Sequence, residues 1–141
     1  MAFNSLFIGK RNFLMHKYIL ITGSLLGAFT VILGALGSHL LEPYLISLGR
    51  VDTYKTAVNY QFYHVFLILF IGIVYNYSHK RIINYAFYTC LLGILFFSGS
   101  LYLLCLTNNS IWGLLTPFGG VSLIISWLLL GLSFKQNRKK R

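Results

Sequence analysis

Residues 84–106 decide the fold of this chain, and they read NYAFYTCLLGILFFSGSLYLLCL. The stretch holds no charged residue over 23 positions, and a helix needs only about 20 apolar residues to cross a bilayer. A second stretch, at 112–134, reads WGLLTPFGGVSLIISWLLLGLSF and is also uncharged. Only Ile111 and the turn-rich residues 107–110 (TNNS) separate the two, so we predict a hairpin of membrane-spanning helices.

Two more apolar stretches precede this hairpin. Hydrophobic residues make up 57% of the 141-residue chain and the only acids are Glu42 and Asp52, a composition unlike that of soluble domains. We therefore predict that residues 1–141 form one membrane domain, an all-α integral membrane bundle. Its four predicted transmembrane helices lie at 18–38, 57–76, 84–106 and 112–134.

Basic residues predict the orientation of the bundle, because ten of the twelve lie on one side of the predicted membrane. These ten are Lys10, Arg11, Lys17, Lys80, Arg81, Lys135, Arg138, Lys139, Lys140 and Arg141. By the positive-inside rule we predict an N-in/C-in protein, with residues 1–17 and 135–141 as basic cytoplasmic ends. The expected location is the bacterial cytoplasmic (inner) membrane, as a multi-pass protein.

The net charge of +10 does not indicate nucleic acid as a partner. The basic residues form short clusters between apolar runs, whereas a nucleic-acid-binding domain carries them along one face. The lipid bilayer explains both the charge and the hydrophobicity, so we expect the bilayer as partner and no nucleic acid.

The first predicted span has a second interpretation, as a secretory signal peptide. Basic residues precede it, and Ala35-Leu36-Gly37 resembles a cleavage site with small residues. The apolar core of a signal peptide runs over about 7 to 15 residues, whereas this run is nearer 20. We therefore favour a membrane span.

Small residues form stripes along the first and third spans, and such stripes let helices approach closely in lipid, where little hydrophobic force drives association. We expect the two stripes to meet each other, either within one chain or between copies. The predicted helix-packing residues are Gly23, Gly27, Gly34 and Gly93.

A polar cluster interrupts the second span. His64 lies seven positions inside it, about 10 Å deep, and an ionisable group at that depth is a functional hypothesis by default. Polar residues of the other spans reach the same outer half under the predicted orientation. Together they form a candidate polar pocket: His64, Gln61, Tyr60, His39, Ser98, Ser100 and Thr116. The alternative is that His64 and Gln61 only hydrogen-bond across helices to hold the bundle together.

The sequence contains no pattern that indicates a reaction. His39 and Glu42 would supply only two metal ligands, since His64 should lie about 10 Å deeper in the membrane. Hydrolase signatures such as GxSxG and HExxH are absent from the sequence. We predict no catalytic, cofactor-binding or metal-binding residues, no cofactor, and no enzymatic activity.

Four local patterns resemble a known family. They are GALGSH at 34–39, TAVNYQFYH at 56–64, FSGSLY at 97–102 and TPFGG at 116–120. In this order they resemble the small membrane proteins of domain of unknown function 423, to which eukaryotic transmembrane protein 256 is similar. The resemblance implies four spans, and it carries over no catalytic residue because the family is recognised by fold and location.

Two functions therefore stay open at the level of sequence. In the first, the polar pocket binds a small polar ligand or a lipid. In the second, the protein is an accessory or structural subunit, and its glycine-rich helix faces dock a larger membrane complex or a second copy in a homo-oligomer.

Overall fold

The computed structural model describes residues 2–135, with side chains from Leu14 onward. Residues 136–141 of the predicted basic end at 135–141, and the side chains of Lys10 and Arg11, lie outside the described part. The described chain is built from six α-helices: α1 (Ala2–Ser38), α2 (Glu42–Ser47), α3 (Val51–Val74), α4 (Lys80–Ile94), α5 (Ser100–Thr107) and α6 (Thr116–Lys135). Three further helical segments are wound more tightly or more widely than an α-helix: a 3₁₀ turn (Tyr75–Tyr77), a π-helical segment (Leu95–Gly99) and a 3₁₀ helix (Ser110–Leu115).

Four continuous helical stretches of the described chain are long and apolar enough to cross a membrane, so the prediction of four spans is confirmed. They are span 1 (Leu14–Ser38), span 2 (Val51–Tyr77), span 3 (Lys80–Thr107) and span 4 (Ser110–Lys135). Span 2 begins at Val51 rather than at residue 57, because the mostly polar residues 51–56 continue the helix beyond the apolar run. An even number of crossings puts both ends of the bundle on one side. That this side is the cytoplasm stays a prediction.

The connections between the spans contain a short helix and two tight turns, which hydropathy does not reveal. Spans 1 and 2 are joined by α2, which has a proline in its first turn and buries Leu45. Gly49 then adopts a positive φ of 63°, which lets the chain turn into α3. In the predicted hairpin, Asn108 ends α5 with a φ of 50°, and the Asn109 side chain accepts a hydrogen bond from the amide of Ile111 at 3.0 Å.

The α1 glycines pack against α3 of the same chain. A Cβ atom added at Gly23 would lie 2.8 Å from the Leu69 side chain, and Gly27 and Gly34 face α3 in the same way. Three predicted packing residues therefore form the contact between α1 and α3, which we call the α1–α3 seam.

The fourth predicted packing residue, Gly93, faces α6. A Cβ atom there would lie 2.7 Å from the Leu123 Cγ atom. The stripes of spans 1 and 3 therefore do not meet each other within the chain, contrary to one of the two predicted alternatives. Each stripe is covered by a different neighbour, because α3 lies against α1 and α6 lies against α4.

Candidate functional site

Two of the sequence patterns meet where α6 crosses the π-helical segment. A Cβ atom at Gly119 would lie 2.7 Å from the Phe96 carbonyl carbon, so the two backbones are in direct contact. Beside this crossing, the hydroxyl oxygens of Ser100 and Thr116 lie 3.0 Å apart and form a hydrogen bond. Ser100 donates its own proton to the Phe97 carbonyl at 3.0 Å, so Thr116 is the donor to Ser100. These two predicted pocket residues thus join spans 3 and 4.

Tyr60 and His64 contact spans 3 and 4. The Tyr60 ring is half-exposed and stacks on Phe97, with 4.5 Å between ring centroids. The His64 ring is buried, with its centroid 6.5 Å from that of Trp127. Its Nδ1–H donates to the Tyr60 carbonyl at 2.7 Å, because a carbonyl oxygen can only accept. This hydrogen bond lies within α3, and not across helices as the structural alternative predicts for His64.

Gln61 faces α1 instead. Its side chain is 3% exposed, and its Nε2 donates to Thr30 Oγ1 at 2.8 Å. Thr30 in turn donates to the Leu26 carbonyl at 2.7 Å. For Gln61, therefore, the cross-helix hydrogen bond of the structural alternative is present. Its second amide atom, Oε1, makes no hydrogen bond within the described part of the chain.

A groove of about 360 Å³ lies beside Gln61, between α1 and span 3. We call it the Gln61 groove. Its lining is mostly apolar, with Gln61 and Tyr102 as the polar members. The lining residues are Leu26, Phe29, Gln61, Leu91, Ile94, Leu95, Gly99 and Tyr102. The groove exists because α1 and span 3 both pack on α3 and diverge from each other at this level.

Aromatic contacts lie on either side of the groove along the helix direction. Toward the two chain ends, the rings of Tyr18 and Phe87 meet edge to face, with 5.9 Å between centroids. At the other end, Tyr54 meets Tyr102 at 5.3 Å. The Tyr102 hydroxyl is buried and has no hydrogen-bond partner among the described residues, a costly state for a polar group. Two polar atoms near the groove, this hydroxyl and Gln61 Oε1, thus have no hydrogen-bond partner among the described residues.

The seven predicted pocket residues do not share one pocket: Ser100 and Thr116 are hydrogen-bonded to each other, and Gln61 is the one of the seven that lines the groove. Ser98 is buried in the π-helical segment, where its hydroxyl has no partner among the described residues, and His39 is exposed at the end of α1. Side chains on one face of α3 diverge because each turns toward a different neighbouring helix. Thr30 and Tyr102 lie outside the predicted set, and the signal for Thr30 is its position as a hydroxyl within the α1 stripe of glycines.

The described chain gathers no metal-binding group. No three of its His, Cys, Asp and Glu side chains lie close enough together to hold one ion. Cys90 and Cys105 are both buried free thiols, and their sulfur atoms approach the backbone carbonyls of His64 in span 2 and of Arg50 just before it. The polar atoms of the site are thus amide and hydroxyl groups, which recognise ligands by hydrogen bonds.

Comparison with known proteins identifies relatives of this chain. The family described as "Protein of unknown function (DUF423)" matches residues 33–120, which include all four sequence patterns. A UPF0382 membrane protein of Staphylococcus haemolyticus is 40% identical over 117 residues, covering 83% of this chain and 94% of the relative. The UPF0382 inner membrane protein YgdD of Escherichia coli is 33% identical over 119 residues, covering 81% of this chain and 86% of that protein. No solved structure matches. With its four spans and these relatives, the chain belongs to the DUF423 family of membrane proteins.

Proposed function

We propose that the protein is a non-enzymatic lipid-binding protein of the bacterial cytoplasmic membrane. Its ligand is a lipid alcohol, meaning an apolar molecule with a free hydroxyl group, held in the Gln61 groove. One observation carries this proposal. Gln61 lines a cavity and its Oε1 has no partner among the described residues, while Thr30 holds Nε2 of the same amide.

The chemistry of the amide selects the ligand. An amide oxygen only accepts hydrogen bonds, so the group that satisfies Gln61 Oε1 must be a donor. Water is scarce in the hydrocarbon core, where an unsatisfied polar group costs several kcal/mol. A hydroxyl supplied by a lipid removes that cost.

The lining of the groove favours a lipid over a small polar molecule. Gln61 is the eleventh residue of α3 and lies within the predicted apolar run that begins at residue 57. Six of the eight lining residues are apolar or glycine, so most of the ligand surface must be apolar as well. A volume of about 360 Å³ accommodates the polar end of a lipid, with the tail extending into the bilayer.

The alternative, an accessory subunit that docks through glycine-rich faces, has weaker support. Gly23, Gly27 and Gly93 already contact other helices of the same chain. A partner that used these faces would have to displace α3 or α6.

Native mass spectrometry of the protein in mild detergent tests the proposal, with dioleoylglycerol as the probe. A diacylglycerol whose hydroxyl is acetylated serves as the matched ligand. Wild type should bind the free alcohol about tenfold more tightly than the acetylated form, the effect of one hydrogen bond of about 1.4 kcal/mol. Gln61→Leu should abolish the difference.

The control variant is Thr30→Val, which breaks the same interhelical hydrogen bond and leaves Oε1 beside the groove. It should lose stability as Gln61→Leu does and still prefer the alcohol. Tyr102→Phe removes a buried hydroxyl that has no partner among the described residues, so it should leave both the preference for the alcohol and the thermal stability unchanged. Equal binding of both diacylglycerols by the wild type would overturn the proposal.

A further inference from the structure

A second cleft lies at the end of the bundle that is opposite to the two chain ends. It has a volume of about 290 Å³ and is formed by the end of α1, by α2 and by the first turns of α3. Lys55 in this cleft and Gln61 in the groove are six residues apart, so they project about 120° apart around α3. The cleft therefore opens on the other flank of the α1–α3 seam and is a separate site.

The cleft contains opposite charges that do not pair with each other. Glu42 from α2 and Lys55 from α3 both line it, and neither makes an ion pair with any described residue. The Asn59 amide and the Ser38 hydroxyl line it as well. One carboxylate, one ammonium and two neutral polar groups thus share a small concave surface.

The helix that carries Glu42, α2, is held in place by its packing. Leu45 is 1% exposed and packs in a cluster with Tyr54, and the Tyr44 hydroxyl donates to the Leu106 carbonyl at 2.9 Å. Lys55 lies in the second turn of α3, which that same cluster also anchors. Both charges are therefore fixed to rigid elements, as a binding site requires.

We propose that this cleft binds a zwitterion that carries a primary ammonium and a phosphate, and that the ligand is the headgroup of phosphatidylethanolamine. Glu42 and the Asn59 amide oxygen accept hydrogen bonds from the ammonium, which has three donors. Lys55 faces the phosphate with a charge-assisted hydrogen bond. A quaternary ammonium has no N–H group, so this site discriminates against phosphatidylcholine.

The position of the cleft favours a lipid over a soluble zwitterion. It lies at the end of spans 1 and 2, at the level of the lipid headgroups, and Leu45, Val51 and Val58 add an apolar part to its lining. That part suits the glycerol backbone and the first acyl carbons. A free zwitterion such as O-phosphoethanolamine has no apolar portion to bury there.

The test is native mass spectrometry of the full chain with short-chain phosphatidylethanolamine, phosphatidylcholine and phosphatidylglycerol. Wild type should bind phosphatidylethanolamine about tenfold more tightly than phosphatidylcholine. Glu42→Gln should remove this preference, and Lys55→Gln should weaken the binding of phosphatidylethanolamine by a similar factor. The matched control is Asp52→Asn, which removes the other acid of this end without touching the cleft, and it should bind as wild type does.

Each other outcome overturns the assignment. Equal binding of the three lipids by the wild type would show that the cleft is not a zwitterion site. Displacement of the lipid by excess O-phosphoethanolamine would show that the ligand is a soluble molecule rather than a lipid. Lys55→Gln serves if Glu42→Gln does not fold, since Lys55 is exposed and lies on another helix. Gln61→Leu should leave the headgroup preference unchanged, so this test and that of the Gln61 groove fail independently.

Discussion

Gly119 is the residue at which spans 3 and 4 depend most directly on the absence of a side chain. At most helix crossings an added methyl group meets a side chain, which can rotate away. At Gly119 it would meet backbone atoms of Phe96 and Phe97 instead, and these atoms are fixed by the helix. Glycine here is therefore a packing requirement, and the pattern TPFGG is explained by helix contact without any ligand.

We expect Gly119→Ala to destabilise the protein by about 1–3 kcal/mol or more, the cost of overpacking a close contact. The control is Gly131→Ala, also within α6, where an added Cβ would meet nothing within 4 Å. That change should leave stability unchanged or raise it slightly, since alanine is the better helix former. Thermal unfolding of detergent-solubilised protein measures both, and equal stability of the two variants would contradict the packing argument.

The π-helical segment is the element that sets the register between spans 3 and 4. A π turn adds a residue to the α-helix and so rotates everything that follows, and such turns often mark functional positions. Here it buries Ser98 and brings Ser100 to the Thr116 hydroxyl. The hydrogen bond between them joins the two spans at the point where α6 begins.

The energy of this contact can be measured by a double-mutant cycle of Ser100→Ala and Thr116→Val in mixed micelles. The coupling energy should be about 0.6 kcal/mol, the usual value for such pairs in membrane proteins. Ser100→Ala paired with Thr107→Val is the control, because the Thr107 hydroxyl bonds to the Leu103 carbonyl of its own helix. Its coupling should be close to zero. A coupling near zero for the first pair would show that the two hydroxyls do not support the span contact.

At the scale of the whole molecule, the four spans could be predicted because each is a long apolar run, and that signal does not depend on neighbours. The helix α2 has only six residues, which is too short to give such a signal. The π-helical segment Leu95–Gly99 is as apolar as the helix around it, so hydropathy does not distinguish it. The residues of the candidate site were harder to predict from the sequence, for a different reason. Gln61 and His64 project only about 60° apart, so a sequence pattern puts them on one face. Helix packing then directs Gln61 to α1 and His64 toward Trp127, and only the three-dimensional structure contains that information.

The orientation of the bundle in the membrane determines which leaflet supplies ligands to the Glu42–Lys55 cleft. If both ends are cytoplasmic, α2 faces the outside and the turn between spans 2 and 3 faces the cytoplasm. Ser47→Cys in α2 should then react with a membrane-impermeant maleimide on whole cells. Tyr77→Cys, at a position that is 75% exposed in wild type, should react only after the cells are permeabilised. Both native thiols are buried, so wild type serves as the unlabelled control. The reverse labelling pattern would invert the topology and move the proposed phosphatidylethanolamine site to the inner leaflet.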